Sequence, residues 1–380
     1  MKAHFALDPD IVYLNHGAFG ACPRVVLDAQ SEWRARLERE PVRFLARELE
    51  PLLDDARAEL ARFIGAEPDG VAFVGNATGG VNAVLRSLRF EPGDEILVTD
   101  HTYNATRNAA DWVAERTGAR VVTARAPFPV AAADELVAPV LAAVTPRTRL
   151  ALLDHVSSKT ALVWPIAALV DAIQARGVDV LVDGAHAPGM VPLAVGALGA
   201  AYYAGNCHKW LCAPKGAGFL VARADRRAAL VPTVISHGLN DPRPRPRFRL
   251  LFDWTGTQDP SPFLCVPDAI RAVAGLVAGG WAEVMARNHA LAVAGRRVVC
   301  DAVGAPLPCP DDLLGSMASI PLPDGDAGAL ELTLVDAHRI EVPVIPWPSA
   351  PRRLVRLSAQ LYNTIDDMRA LAAALAHALG

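Results

Sequence analysis

Val178-Asp-Val-Leu-Val-Asp183-Gly-Ala-His186-Ala-Pro188 is an apolar run that ends on a carboxylate. A second run leads to a cation 26 residues on, where Tyr202-Tyr-Ala-Gly-Asn-Cys-His208-Lys209-Trp closes on a histidine and a lysine. Further short apolar runs cover Val71 to Val74, Glu95 to Thr99, Arg120 to Ala124, Arg149 to Leu153 and Gly218 to Val221, with amphipathic stretches between them. Apolar runs alternating with helical patterns build βα units, and strands covered on both faces read as continuous hydrophobic segments. The fold class is therefore α/β with a mostly parallel central sheet.

On the N-terminal side, residues 24 to 64 carry helical periodicity, with interruptions expected near Pro41 and Pro51. On the C-terminal side, a helical pattern around Ser261 to Ala294 is followed by strands near Ser316 to Pro321 and Leu354 to Ser358. An Ala-rich helix starts at about Thr364. At 380 residues the chain exceeds the roughly 250–300 residues one core serves. The expected organisation is an N-terminal segment over 1–22 packing with a small domain, a large domain over 23–262, and a small α+β domain over 263–380.

Composition excludes several classes of protein. With 52% hydrophobic and 21% charged residues the chain is not disordered, and 37 Lys and Arg against 41 Asp and Glu leave no basic footprint for nucleic acid. The one basic cluster, Arg243 to Arg249, alternates with Pro and Phe and reads as a solvated loop. Six scattered cysteines form no C-x-x-C pair, so neither a zinc site nor a disulfide framework is expected. The opening MKAHFALDPDIVYLN has no signal-like apolar core, and no long uncharged apolar run follows. A cytoplasmic protein without a membrane partner is the expectation.

Open α/β sheets bind ligands beyond the carboxyl ends of their strands. After Val71 to Val74 comes Gly75-Asn76-Ala77-Thr78-Gly-Gly80, where a helix start can turn N–H groups and its dipole toward a phosphate. Simple helix capping by Asn76 or Thr78 is the alternative. A P-loop and a dinucleotide fingerprint are both absent. Asp183, at a strand end, needs a partner such as a cationic ring nitrogen, or else caps the next turn while His186 is an ordinary satisfied histidine. Lys209, among small residues, a His and a Trp, suits a desolvated Schiff-base lysine or a plain surface lysine.

Together these stretches resemble the pyridoxal-phosphate (PLP) enzymes of fold type I, specifically the class V aminotransferase superfamily and its isopenicillin N epimerase-like group. The likeness is carried by Asn15-His-Gly-Ala-Phe-Gly20, Glu40-Pro with Phe44-Leu and Arg47-Glu, Asp100-His-x-Tyr103, and His155-Val with Ser158 and Thr160. Asp183-Gly-Ala-His-Ala-Pro-Gly and His208-Lys-Trp-Leu complete it. It is strong over about residues 11 to 260 and looser at Arg356-x-Ser358 and Tyr362-Asn363. The resemblance implies pyridoxal 5'-phosphate as cofactor, Lys209 as its Schiff-base lysine and Asp183 as partner of the pyridinium nitrogen. It further implies Asn76, Ala77, Thr78 and His208 around the phosphate, Tyr103 stacked on the ring, and Ser158 and His186 on its phenolic side. Thr257 would reach a neighbouring subunit's phosphate in a homodimer, Arg356 would clamp the substrate α-carboxylate, and Asn15 and His16 would line the substrate mouth.

The implied activity starts with removal of a Cα proton from an amino-acid substrate by Lys209. Reprotonation on the other face, with Tyr103 or His16 as second acid/base, gives epimerisation, as in specialised metabolism. Loss of a β-sulfur gives a C–S lyase acting on a cysteine conjugate, and decarboxylation or deamination is a further outcome. Cys207 stands where the epimerase pattern has a very small residue. Cys300 and Cys309 lack the context of a desulfurase nucleophile, and Cys207 and Cys212 lie too close to the lysine for that role. A non-catalytic fold-type I subunit would tolerate loss of Asp183 or Lys209, and both are present.

Overall fold

Strand residues alternate between two buried faces, and this sets the layers. In β5 below, Leu150 and Leu152 enter the core on one side of the sheet while Ala151 and Leu153 enter the core on the other. The computed structural model describes residues Met1–Gly380. After a two-residue β1 (Val12–Tyr13), the main sheet is built from β2 (Val71–Val74), β3 (Glu95–Thr99), β4 (Arg120–Ala124), β5 (Thr148–Asp154), β6 (Asp179–Gly184), β7 (Tyr202–Asn206) and β8 (Gly218–Ala222). Its order is β2-β8-β7-β6-β5-β3-β4. Only β8 runs antiparallel to its neighbours, so the carboxyl ends of the other six strands share one edge.

The C-terminal part adds β9 (Met317–Leu322), β10 (Ile340–Glu341), β11 (Val344–Pro346) and β12 (Arg353–Ser358). Of these, β11, β12 and β9 form an antiparallel sheet in that order, against which the Gly280–Val303 helix packs. Strand β1 pairs in parallel with β10, and Leu14 N–H donates to the Glu341 carbonyl. The N-terminal segment is thereby tied to the C-terminal sheet just before it passes the main sheet's edge.

Two sequence expectations change. Pro51 does not interrupt a helix, because it lies in the first turn of the Leu49–Ile64 helix, where proline is tolerated. The break falls at a wide-turned segment, Phe44–Glu48. The Arg243 to Arg249 stretch is a solvated loop only in part, with Arg243 and Arg247 exposed while a helix begins at Arg247 and the arginines pair with carboxylates. Arg245 pairs with Glu50 and Asp54 at 2.7 Å each, Arg249 with Asp69 at 2.7 Å, and the wholly buried Arg57 with Asp54 and Asp253. Pro-spaced arginines turn toward the helix carboxylates because that helix presents acidic residues along the facing side.

Candidate active site

At the shared carboxyl edge the loops after β2, β3, β5, β6 and β7 surround a cavity of about 330 Å³. Of the expected site residues, Asn76, Ala77, Thr78, Tyr103, Ser158, Asp183, His186, His208 and Lys209 line it together. Lys209 Nζ lies 3.1 Å from His186 Nε2, and Trp210 Nε1 donates to His186 Nδ1 at 3.4 Å. An indole N–H can only donate, so the imidazole accepts at Nδ1 and carries its proton on Nε2, facing the lysine. Facing that N–H, the amine can offer a lone pair only in its uncharged form. Burial, reinforced by Arg356, pulls Lys209 down to about 8 against the opposing pull of Asp183 and Asp154. Burial likewise holds His186 well below its ordinary value, which keeps it neutral.

The first turn after β2 is partly used by the protein itself. Asn76 Oδ1 accepts from Gly79 N–H at 2.8 Å as the helix cap, and Asn206 Oδ1 accepts from Ala77 N–H at 2.8 Å. Capping and anion binding are thus not alternatives here. The remaining first-turn donor is the N–H of Thr78, a residue that lines the cavity together with His208, whose Nδ1 bonds the Ala217 carbonyl.

Asp183 closes β6 with Oδ1 accepting from Ala185 N–H at 3.1 Å, while its buried Oδ2 has no partner. Burial raises its proton affinity, and Lys209 works against that. Gly184 has to be glycine for this strand end, since a Cβ there would meet the Tyr203 ring at 2.2 Å. Tyr103 is 41% exposed, with its ring centroid 6.0 Å from Lys209 Nζ, so it forms a wall of the cavity.

Arg356, on β12, reaches across from the second sheet. Its Nη1 donates to the Ser158 carbonyl at 2.7 Å and to Ser158 Oγ at 3.2 Å, it is buried, and no carboxylate pairs with it. A buried guanidinium that keeps its charge needs hydrogen-bond acceptors, and here Ser158 supplies them.

Asn15 and His16 do not line the cavity. Asn15 Nδ2 donates to Glu341, and the wholly buried His16 accepts from Tyr362 and bonds the Lys209 carbonyl through Nε2 at 3.1 Å. The short His16–Phe19 helix turns His16 inward and brings Ala18 and Phe19 to the mouth instead. Burial takes His16 down to about 3, so it is no second acid/base. Gly20, at φ 71, lets this segment pass, because a Cβ would meet the His208 carbonyl oxygen at 2.3 Å. Thr257 is exposed and outside this cavity. All six cysteines are buried and free, and none lines the cavity, Cys207 included. Two lining residues that sequence reading passed over, Asp154 and Asn206, end β5 and β7. The strand-end rule that singled out Asp183 also points to them.

The aminotransferase class-V model matches residues 12–242. The chain is 38% identical to isopenicillin N epimerase of Streptomyces clavuligerus and 40% identical to that of Amycolatopsis lactamdurans, over 98% of this chain and 96% of each relative. The chain belongs to the class V aminotransferase family. A probable chloroplastic L-cysteine desulfhydrase of Arabidopsis thaliana is 33% identical over 96% of the chain and 82% of that relative. Among solved structures, the cystine C–S lyase C-DES superposes with a TM-score of 0.82 at 22% identity, over 97% of this chain and 98% of its own. The fold is accordingly fold type I, and the chain is a PLP-dependent class V enzyme. The residues present fit that cofactor. Asp183 Oδ2 lacks the cationic donor a ring nitrogen supplies, burial lowers the proton affinity of Lys209 to about 8, and the Thr78 turn can seat an anion.

Proposed function

We propose that this class V enzyme removes the Cα proton of an amino-acid substrate and returns it, an isopenicillin N epimerase-like reaction. The observation that carries this reading is a cavity lined by a buried Lys209 of lowered proton affinity and by an unpartnered Asp183 oxygen, with Arg356 reaching the lining residue Ser158. Bound there, pyridoxal phosphate supplies an electron sink for the charge left at Cα. Asp183 keeps a negative charge against the ring nitrogen, and the Thr78 turn with His208 holds the phosphate. Arg356 accepts the substrate α-carboxylate in a planar fork, which fixes the Cα–H toward Lys209. Lys209 takes the proton, and the Nε2–H of His186 steadies its lone pair beforehand. Tyr103 is the lining residue left to serve the opposite face.

Thr257 is exposed, which suits completion of the phosphate seat by a second copy in a homodimer. The six free, buried cysteines suit a reducing compartment such as the cytoplasm. No helix is long and apolar enough to cross a membrane.

A second reading, C–S β-lyase chemistry on a cysteine conjugate, is favoured by the presence of only one amine base in the cavity. Elimination needs one base, whereas epimerisation needs a donor on each face. A desulfurase route is disfavoured because Cys300 and Cys309 are buried, with Cys309 Sγ 3.7 Å from Arg296 Nη1. Incubation with amino acids and S-cysteinyl conjugates in deuterium oxide decides between them. Inverted product carrying Cα deuterium supports epimerisation, and release of a thiol with a keto acid supports the lyase. Neither product from any substrate, with no Cα exchange, would overturn both.

A further inference from the structure

Asp154 is unused by the mechanism above. It ends β5 in direct register with Asp183 at the end of β6, so two carboxyl side chains project from paired positions on adjacent strands. Neighbouring strands lie about 4.8 Å apart, which brings such side chains within reach of each other. Both residues are nearly wholly buried, at 4% and 3% exposure, and both line the cavity. Each has one buried oxygen, Oδ2, with no hydrogen-bond partner in the chain. Two unpartnered acceptors side by side lack a donor, and a single proton supplies one.

We propose that Asp154 and Asp183 form a buried carboxyl pair that holds one proton at neutral pH, with Asp154 as its bearer. Asp154 is then a positioning residue. It leaves one negative charge, on Asp183, directed at the cationic ring nitrogen, and this last clause rests on the role given to Asp183 above. Like charges this close in a dry site cannot both persist. The neighbours settle which residue is neutral. Asp183 receives the Ala185 N–H and the attraction of Lys209, and the Tyr203 phenol feels its charge. Asp154 faces the Tyr103 N–H, the Thr102 hydroxyl, Lys209 and Asp183 itself. Burial and the Asp183 charge raise its proton affinity further than that of Asp183. His155, next in the chain, turns its Nδ1 to the Tyr203 hydroxyl at 2.9 Å and is neutral, so it offers the pair no counter-charge.

The sign of the pH effect follows from the raised affinity. A carboxyl protonated when folded but ionised when unfolded costs stability increasingly as pH rises from the ordinary carboxylate range toward its raised value, and the cost is constant above that. The full chain, stripped of and then loaded with pyridoxal phosphate, is examined by infrared difference spectroscopy at neutral pH. A protonated-carboxyl band in the wild type that disappears in Asp154→Asn and persists on loading supports the pair. In thermal melts the Asn variant should gain Tm over the wild type as pH rises, then keep a constant lead. Absence of the band, or a Tm difference independent of pH, overturns the proposal. Should Asp154→Asn not fold, the wild type with isotope-labelled aspartate gives the same answer by NMR, as one carboxyl that stays neutral at pH 7; none staying neutral overturns it. If the band is present while Asp183→Asn leaves cofactor affinity and absorbance unchanged, the clause about the ring nitrogen is overturned and the pair itself stands.

Discussion

Two cavities of similar size lie on this molecule and treat charge in opposite ways. One, of about 360 Å³, sits between the Leu49–Ile64 helix and the 237–254 segment, lined by Glu50, Arg243, Arg245 and Asp253. There each guanidinium meets carboxylates at hydrogen-bond distance. The other, of about 330 Å³ at the strand ends, holds a buried lysine of lowered proton affinity, two carboxyls with an unpartnered oxygen each, and nearby an arginine with no carboxylate partner. Saturated charges hold structure, whereas unsaturated buried charges are kept at a cost in stability and await a ligand. Size alone does not separate the two.

Breaking the strand-end cavity at its base should have the largest effect. Lys209→Ala is expected to abolish the absorbance of lysine-bound cofactor and to slow Cα deuterium exchange by about 10⁴-fold, the upper range for a positioned base. Borohydride reduction and peptide mapping check it, since a tag on Lys159 or Lys215 would move the assignment. The saturated region should respond in stability alone. Asp253→Ala leaves the wholly buried Arg57 with Asp54 only, and a loss of about 3 kcal/mol in urea unfolding is expected, with the cofactor absorbance unchanged. A loss of cofactor binding in that variant would erase the contrast between the regions.

Asp183→Asn should retain some cofactor yet exchange the substrate Cα proton about 100-fold more slowly, because one preorganised electrostatic partner is gone as charge develops. Arg356→Ala should leave the absorbance intact and raise the substrate concentration for half-maximal rate by about 10-fold or somewhat more, the value of a charge-assisted hydrogen bond. The smallest effect sharpens the lysine's state. Only an uncharged amine attacks an aldehyde, so the rate of cofactor loading should rise with pH through about 8 and then level off, as followed by stopped-flow absorbance. A midpoint near that of an ordinary lysine would mean that burial does not neutralise Lys209.

The main sheet was legible because strands buried on both faces cannot hide their pattern, and all seven apolar runs are strands within a residue or two of their expected ends. Asp183, Lys209 and the Asn76 to Thr78 turn were legible for a related reason, as polar residues directly after such runs. His16 was misplaced because a four-residue helix turns adjacent side chains to opposite sides, and nothing local says which side faces the ligand. The Arg243 to Arg249 stretch misled because its acidic partners at Glu50, Asp54 and Asp69 lie well over 150 residues away in sequence.

The sequence by itself therefore determined the alternation of strands and helices, the edge at which ligands bind, and the chemical types gathered there, because periodicity and strand-end position are local properties. Only the tertiary structure decided which charges stay unpaired. The register that sets Asp154 beside Asp183 depends on which strands become neighbours, and the reach of Arg356 to Ser158 depends on how the second sheet meets the first. Pairing is a property of distance in space, and residues 198 positions apart in the chain carry no mark of it.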